Sequence, residues 1–152
     1  MDSWAVSWGK SFKGLKKATV AKIAKDVFLK AKKDLFHESK ELVRFFNERG
    51  FLTVIISAGA SEVIYLFSKF LKTDFAIATE LEIVDSVYTD KMLTNIHTSD
   101  GKCKSLENFL ENRKIEKPFY VFGDSIGDLA ILKLAECPIA LNADKELSTI
   151  AK

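Results

Sequence analysis

The sequence predicts an α/β fold built on a parallel sheet, and three observations support that prediction. Short apolar stretches rich in β-branched residues alternate with stretches whose apolar residues recur three and four apart, so strands and helices take turns. Short links join them, as in doubly wound sheets. The 152 residues are 47% hydrophobic and 29% charged, which suffices for the core of one globular domain. We therefore expect a Rossmann-like sheet with helices on both faces.

The first 36 residues are basic, with nine lysines against three aspartates, whereas the remainder is net acidic. Apolar residues recur at helical spacing from Leu15 to Leu35, which predicts one or two amphipathic helices. The predicted apolar stripe comprises Val20, Ile23, Val27 and Ala31. A basic helix can attract nucleic acid or anionic lipid, but these lysines alternate with the stripe as on a solvated face and lack interleaved aromatic residues. We expect neither nucleic acid nor a membrane as a partner.

The next stretch is predicted to enter the sheet. One helix has Leu42, Phe45 and Phe46 on a single face, and Gly50 is placed to end it. Residues 51–56 are apolar almost throughout, as buried strands of parallel sheets are. In chain order the predicted elements are a helix at 38–49, a strand at 51–56, a helix at 61–71, a strand at 75–79, a hairpin at 81–91, a helix at 103–113, a strand at 119–122, a helix at 126–135, a strand at 138–141 and a helix at 145–151.

Nothing in the sequence predicts export or a membrane anchor. The longest apolar stretch, residues 51–67, is interrupted by serine, glycine and glutamate, and no basic leader followed by an apolar run opens the chain. Cys103 and Cys137 are far apart and lack the paired spacing of a zinc site. Two isolated cysteines suit a reducing compartment, so we expect a cytoplasmic protein.

Carboxylates follow the strand predicted at residues 119–122. Gly123 ends that strand, Asp124 comes next, and Asp128 lies about one helical turn later. Because ligands of open α/β sheets bind at the carboxyl ends of the strands, we expect both carboxylates to face one spot, where they suit a hard cation such as Mg²⁺. The alternative is that Asp124 or Ser125 only caps the next helix. Capping would explain one carboxylate and leave the other without a role.

Two further positions suggest phosphate chemistry. Ser57 follows the strand at residues 51–56, and Ala58 and Gly59 lead into a helix whose N–H groups would suit an anion; the alternative is an ordinary helix start. Lys102 is predicted in the first turn of a helix, where the helix dipole disfavours a cation. Nearby phosphate and metal-bound carboxylates would explain this lysine, and the alternative is an ordinary exposed side chain.

Taken together, these motifs resemble those of the haloacid dehalogenase (HAD) superfamily, in particular its phosphoserine phosphatase branch. Ser57 resembles the serine of the second motif, and Lys102 the lysine of the third, with Lys104 as the alternative register. Residues 123–128, Gly-Asp-Ser-Ile-Gly-Asp, resemble the fourth motif. The site that the resemblance implies comprises Ser57, Ala58, Gly59 and Lys102 for phosphate, Asp124 and Asp128 for Mg²⁺, and Lys102 and Asp128 for catalysis.

The resemblance covers nearly the whole chain and implies two parts. Residues 1–36 are similar to part of the small helical cap of these enzymes, and residues 37–152 are similar to an incomplete α/β core. Asn142 would follow the last strand, as in the family. Gly127 stands where many phosphoserine phosphatases carry asparagine, which leaves the substrate open.

The first motif of the family has no counterpart in the sequence. That motif is an apolar strand followed by Asp-x-Asp-x-Thr, whose first aspartate attacks phosphorus. In the family its strand is central, between the strands that end at Ser57 and Asp124, so its absence would leave two strand edges unpaired. We expect a complementing N-terminal segment or a second copy in a homodimer to fill this central position, or the two flanking strands to pair directly.

The resemblance implies a Mg²⁺-dependent phosphomonoesterase that acts on a small phosphorylated metabolite through an aspartyl-phosphate. Its four key residues, at positions 57, 102, 124 and 128, are expected to converge at one rim of the sheet. Because covalent transfer needs a nucleophile, we expect the chain as given to be inactive. The alternative is a non-catalytic module that keeps the phosphate and Mg²⁺ pocket. A receiver-like signalling domain fits less well, because its acidic cluster lies near the chain start.

Overall fold

Strands and helices alternate along most of the chain, and the fold is of the predicted α/β class. The computed structural model describes residues 3–35, 37–94 and 96–150. The helices are α1 (Ser3–Phe12), α2 (Lys17–Ala31), α3 (His37–Asn47), α4 (Ser61–Leu71), α5 (Ser99–Asn112), α6 (Leu129–Leu132) and α7 (Lys145–Ile150), with a 3₁₀ turn at Ile126–Asp128. The strands are β1 (Val54–Ala60), β2 (Phe75–Thr79), β3 (Leu81–Val84), β4 (Val87–Met92), β5 (Tyr120–Gly123) and β6 (Cys137–Ala140).

The chain divides into two compact units, Met1–Thr94 and Asn95–Lys152. In the first unit, β1 and β2 form a parallel ladder in which Ser57 pairs with Ala78. The β-branched Val-Ile-Ile start of β1 favours an extended strand, and α4 supplies the crossover helix that a parallel pair requires. The expected boundary at residue 36 between a cap remnant and a core stays a prediction.

The helical N-terminal region packs on the hairpin of β3 and β4. Both central residues of the hairpin turn, Asp85 and Ser86, have positive φ values of 50° and 65°, which suits the twist of a two-residue hairpin. The link between α1 and α2 forms backbone hydrogen bonds with β4. Gly14 N–H donates to the carbonyl of Tyr88 at 3.0 Å, and Tyr88 N–H donates to the carbonyl of Leu15 at 2.9 Å. The cluster buried there comprises Val20, Leu81 and Tyr88, with Trp8, Phe12 and Met92 packed against it.

α2 buries a different face from the predicted stripe. Val20 is buried, as predicted, but Ile23 and Val27 are exposed. The helix turns towards α4 instead, where the Phe28 and Phe67 ring centroids lie 5.0 Å apart. An aromatic ring buries more apolar surface than an isoleucine or valine, so the aromatic contact decides which face packs. α1 is not among the predicted elements.

In the second unit, β5 and β6 form a parallel ladder that pairs Gly123 with Ala140 at its carboxyl end. Leu106 and Leu110 of α5 are buried, on the predicted side of that helix. The single helix predicted over residues 126–135 is wrong in its extent, because a 3₁₀ turn opens it and α6 ends at Leu132. The other predicted strands and helices of this unit differ from the observed ones mainly at their ends.

Among the described residues, each ladder has two strands: β1 pairs with β2, β3 with β4, and β5 with β6. β1 is half-buried along its whole length rather than buried as predicted. It begins at Val54, and the preceding Phe51 and Leu52 are exposed. Strands of parallel sheets are normally covered on both faces and paired on both edges, so a two-stranded ladder accounts for this partial exposure. No described helix is both long enough and apolar enough to cross a membrane.

Candidate functional site

The candidate site lies in the second unit, where β5 ends and a tight loop begins. Gly123 closes the strand, and the side chain of Asp128 packs directly on it. A Cβ atom at Gly123 would lie 2.6 Å from the Cβ of Asp128 and 3.1 Å from its Oδ2. Carbon atoms that are not bonded to each other do not approach so closely. Asp128 can therefore take its observed position only because residue 123 has no side chain.

The Asp128 carboxylate is held by the loop that precedes it. Its Oδ2 accepts hydrogen bonds from the N–H groups of Asp124 at 3.1 Å and Ser125 at 3.4 Å, and from the Ser125 hydroxyl at 3.3 Å. Ser125 and Asp128 thus form a capping box around the 3₁₀ turn. The capping alternative is therefore realised by Ser125 and Asp128, and it leaves the Asp124 carboxylate unexplained.

Lys102 reaches the other oxygen of the same carboxylate. α5 begins at Ser99, with the Thr98 hydroxyl accepting from Gly101 N–H at 3.0 Å, so Lys102 lies in the first turn as predicted. Its Nζ donates to Asp128 Oδ1 at 2.6 Å, and the two side chains are only 15% and 10% exposed. This pairing rules out an ordinary exposed lysine and offsets the unfavourable helix dipole. Lys104 is exposed, which favours Lys102 as the functional lysine.

The electrostatics keep Asp128 ionised. Burial alone would raise the pKa of Asp128, but the hydrogen bond and positive charge of Lys102, together with the N–H groups of Asp124 and Ser125, outweigh burial and lower it. At neutral pH the site therefore holds a buried ion pair whose geometry is fixed on both carboxylate oxygens.

The Asp124 carboxylate is exposed and makes no hydrogen bond or ion pair with any described residue. Its oxygens are thus available to a ligand, and a carboxylate beside a strand end suits Mg²⁺, which usually takes one or two carboxylates and completes its shell with water and phosphate oxygens. Within the described residues, no group of three or more histidine, cysteine, aspartate or glutamate side chains is placed to hold a metal ion. The donor set therefore fits Mg²⁺ shared with water and substrate, and does not form a closed protein cage.

The predicted phosphate-binding residues lie in the first unit, at the carboxyl end of β1. The ladder is irregular between Ser57 and Ala60, and the Ser57 hydroxyl oxygen accepts from Gly59 N–H at 3.2 Å. The carbonyl of Ala58 accepts from the Thr79 hydroxyl at 2.8 Å. α4 follows the strand as predicted, but it begins only at Ser61, so Ser57, Ala58 and Gly59 belong to β1 and not to the helix start. Convergence of these residues with Lys102 and the carboxylates of the second unit stays a prediction.

Sequence reasoning missed one residue of this region, Asp144. Its Oδ2 accepts from the N–H of Ile126, inside the candidate loop, at 3.1 Å. An aspartate just before a predicted helix signals a helix cap, and that signal could have drawn attention to residue 144. The contact with the loop joins residues 18 apart in the sequence and has no local signature. Asn142, predicted to follow the last strand, lies two residues after β6 with a positive φ of 50°.

The chain matches a known protein family and curated relatives. A family model described as haloacid dehalogenase-like hydrolase matches residues 4–133. Phosphoserine phosphatase SerB2 of Mycobacterium tuberculosis is 29% identical over 119 residues, which are 78% of this chain and 29% of that protein. A phosphoserine phosphatase of Streptococcus thermophilus is 32% identical over 106 residues, 69% of this chain and 49% of that protein. The chain thus spans less than half of the length of these two relatives.

Solved structures show the same fold. A HAD family hydrolase from Salmonella enterica serovar Typhi matches with a TM-score of 0.74 and 23% identity, over 99% of this chain and 50% of that one. A structure described as a phospho-aspartyl intermediate analogue of phosphoserine phosphatase matches with a TM-score of 0.67 and 20% identity, over 95% of this chain and 66% of that one. At these identities the match establishes the fold alone.

Proposed function

Because the chain belongs to the haloacid dehalogenase-like hydrolase family, we propose that it supplies the Mg²⁺ and charge-neutralising half of a phosphomonoesterase site for a small phosphorylated metabolite. The observation that carries the proposal is the Lys102 Nζ to Asp128 Oδ1 bond of 2.6 Å, close in sequence to the Asp124 carboxylate, which has no partner among the described residues. A largely buried lysine held against a fixed carboxylate, next to an exposed one, can supply the positioning and charge stabilisation on which phosphoryl transfer depends.

In this proposal Asp124 holds Mg²⁺ directly and Asp128 acts beside it. When bound, the ion would offset negative charge on the phosphoryl oxygens. Asp128 accepts hydrogen bonds on both oxygens and so fixes Lys102 and the loop, and its remaining lone pairs would hold Mg²⁺ directly or through water. Lys102 would neutralise charge on phosphate and nucleophile.

We assign phosphate binding to Ser57 and to the N–H groups of Ala58 and Gly59. These residues end β1 just before the first turn of α4, and the positive end of the helix dipole favours an anion there, which supports this assignment. In the present state the Gly59 N–H donates to the Ser57 hydroxyl, so phosphate would have to compete for that donor.

The attacking carboxylate is the part that the sequence does not supply in a recognisable motif. One structural neighbour is described as a phospho-aspartyl intermediate analogue, which supports a covalent aspartyl-phosphate route for the assembled enzyme. We propose that the chain alone is inactive and that a complementing N-terminal segment, or a second copy, fills the central position of the sheet. The missing Asp-x-Asp-x-Thr motif equally supports the second candidate, a non-catalytic module that binds phosphate and Mg²⁺.

Both cysteines are free, which supports a cytoplasmic location.

Isothermal titration of the chain with MgCl₂ tests the proposal, with p-nitrophenyl phosphate hydrolysis measured on the same samples. We expect Mg²⁺ to bind the unaltered chain and not Asp124→Asn, whereas Asp26→Asn, which changes an exposed aspartate of α2, binds normally. We expect no hydrolysis by any of the three. Equal Mg²⁺ binding by Asp124→Asn contradicts the assigned metal ligand, and turnover that depends on Asp124 contradicts the proposed inactivity.

A further inference from the structure

Three successive N–H groups of the candidate loop are all hydrogen-bonded to carboxylates. Those of Asp124 and Ser125 donate to Asp128 Oδ2, from inside the loop. The third, that of Ile126, donates to Asp144 Oδ2 at 3.1 Å, and Asp144 comes from the segment after β6. The loop is therefore held by two carboxylates, of which the assigned site accounts for one.

Asp144 makes further bonds that tie the loop to the start of α7. Its own N–H donates to the carbonyl of Asp124 at 2.7 Å, and its Oδ1 accepts from the N–H of Leu147 at 2.7 Å. Asp124 is consequently fixed on both sides of its backbone, through its N–H by Asp128 and through its carbonyl by Asp144. These two bonds reduce the backbone freedom that Asp124 would lose when a cation binds.

We propose that Asp144 is a positioning residue of the cation site, which holds the 124–126 backbone so that the Asp124 carboxylate is presented in one orientation. This inference rests on the proposed function of Asp124. Partners of a metal ligand that fix its backbone or side chain lower the entropy lost on binding, and their removal typically weakens metal affinity by about 10-fold to 100-fold. The competing explanation is that Asp144 only caps α7, through the bond from Leu147.

The variant Asp144→Ser separates the two explanations. A serine at a helix start keeps one oxygen for the N–H of Leu147, and serine is as good a cap as aspartate. It has no second oxygen for Ile126. The matched control is Asp74→Ser, because Asp74 Oδ2 accepts from the N–H of Thr53 at 2.7 Å in the other unit, a similar carboxylate tether with no link to the loop.

Two measurements decide the outcome: amide hydrogen exchange without Mg²⁺, followed by NMR, and MgCl₂ titration calorimetry. For Asp144→Ser we expect faster exchange at Ile126 with protection at Leu147 retained, and Mg²⁺ affinity about 10-fold weaker than that of the unaltered chain. Asp74→Ser should change neither the Ile126 exchange nor the affinity.

Faster exchange at Ile126 with unchanged Mg²⁺ affinity would overturn the inference and leave Asp144 with a structural role only. Loss of protection at both Ile126 and Leu147, with a matching loss of global stability, also contradicts it, because the helix cap would then explain everything. If the unaltered chain binds no Mg²⁺, the proposed function fails instead. In that case, equal exchange at Ile126 in the unaltered chain and in Asp144→Ser shows that Asp144 does not hold the loop. Faster exchange in Asp144→Ser shows that Asp144 holds a loop with another purpose. Either result contradicts a cation-site role for Asp144.

Discussion

At the scale of single residues, the Lys102 and Asp128 pair sets the charge of the site. We expect Lys102→Met to lower the free energy of unfolding at neutral pH by about 2 to 3 kcal/mol, somewhat less than for a fully buried pair because both side chains keep some contact with water. Lys104→Met, two residues along α5 and exposed, should cost far less. Denaturant unfolding of both variants in Mg²⁺-free buffer measures the difference.

The same pair predicts a pH dependence. Burial opposes ionisation of Asp128, but Lys102 and the loop N–H groups lower its pKa below that of an unfolded aspartate, which is about 3.9. Its stabilising contribution is therefore complete above that value and is lost as the pH falls through the lower native pKa. The stability gap between the unaltered chain and Lys102→Met should accordingly close on acidification. A gap that stays constant down to acid unfolding would contradict the pairing.

Gly123 has a steric role that a small substitution can test. In Gly123→Ala the new methyl group would lie 2.6 Å from the Asp128 Cβ, so either Asp128 or β5 must shift. Overpacking of this kind costs about 1 to 3 kcal/mol. Gly127→Ala is the matched control, because its methyl group would meet nothing closer than the Ser125 hydroxyl at 3.5 Å. If thermal unfolding shows equal losses for the two variants, Asp128 does not depend on the missing side chain.

Much of this residue-scale detail follows from sequence, and the remainder has an identifiable cause. The order strand, Gly123, Asp124 predicted an available carboxylate at a strand end, and the helical position of Lys102 predicted a neighbouring negative group. The bond from Ile126 to Asp144 could not be predicted, because it depends on how β5 and β6 are aligned: Gly123 beside Ala140 brings the two following segments together.

At the scale of helices and strands, the type of most elements could be predicted and the buried face of α2 could not. Period alone predicts a stripe that includes Ile23, but which face is buried depends on the aromatic residues of α4, far along the chain. The start of the helix after β5 also differs from the prediction, because the capping box of Ser125 and Asp128 lies on a 3₁₀ turn there. Local sequence therefore predicts the existence of elements better than their contacts.

A side-chain hydrogen bond links β4 to α4 inside the first unit. The buried Tyr88 of β4 donates its hydroxyl hydrogen to the carboxylate of Glu62 in the first turn of α4. Burial, and then this bond to an anion, raise the pKa of Tyr88. Its ring also packs against Phe12, with centroids 5.7 Å apart, so replacing the hydroxyl alone leaves the packing in place.

We expect Tyr88→Phe to reduce the free energy of unfolding by about 1 kcal/mol at neutral pH. Because the native pKa lies above the unfolded value of about 10, this contribution is present below that value and is lost as the pH rises through the native pKa. Denaturant unfolding at neutral and alkaline pH measures both effects. Tyr65→Phe removes a similar bond to Glu80 at an exposed position and should cost less. A larger effect of Tyr65→Phe would argue against a buried Tyr88 bond.

At the scale of the whole molecule, the two parallel ladders are small and lie beside exposed apolar residues. Each has two strands among the described residues, and apolar residues around them are exposed, including Phe51 and Leu52 before β1 and Phe119 before β5. Open strand edges beside apolar surface favour association with another extended segment. From the family resemblance we expect the segment that fits to be an apolar strand that ends in Asp-x-Asp-x-Thr.

Joining such a segment to the N-terminus of this chain through a flexible linker should therefore raise the melting temperature and produce Mg²⁺-dependent hydrolysis of p-nitrophenyl phosphate. The rise in stability follows from new strand pairing and apolar burial, and the turnover follows from the added nucleophile. Changing the first aspartate of the added motif to asparagine should keep the gain in stability and abolish turnover, which separates folding from chemistry. Asp124→Asn in the joined protein should likewise abolish turnover. If the joined protein melts at the same temperature as the chain alone, the added strand does not pair with the existing ladders. The non-catalytic module would then be the better account of this protein.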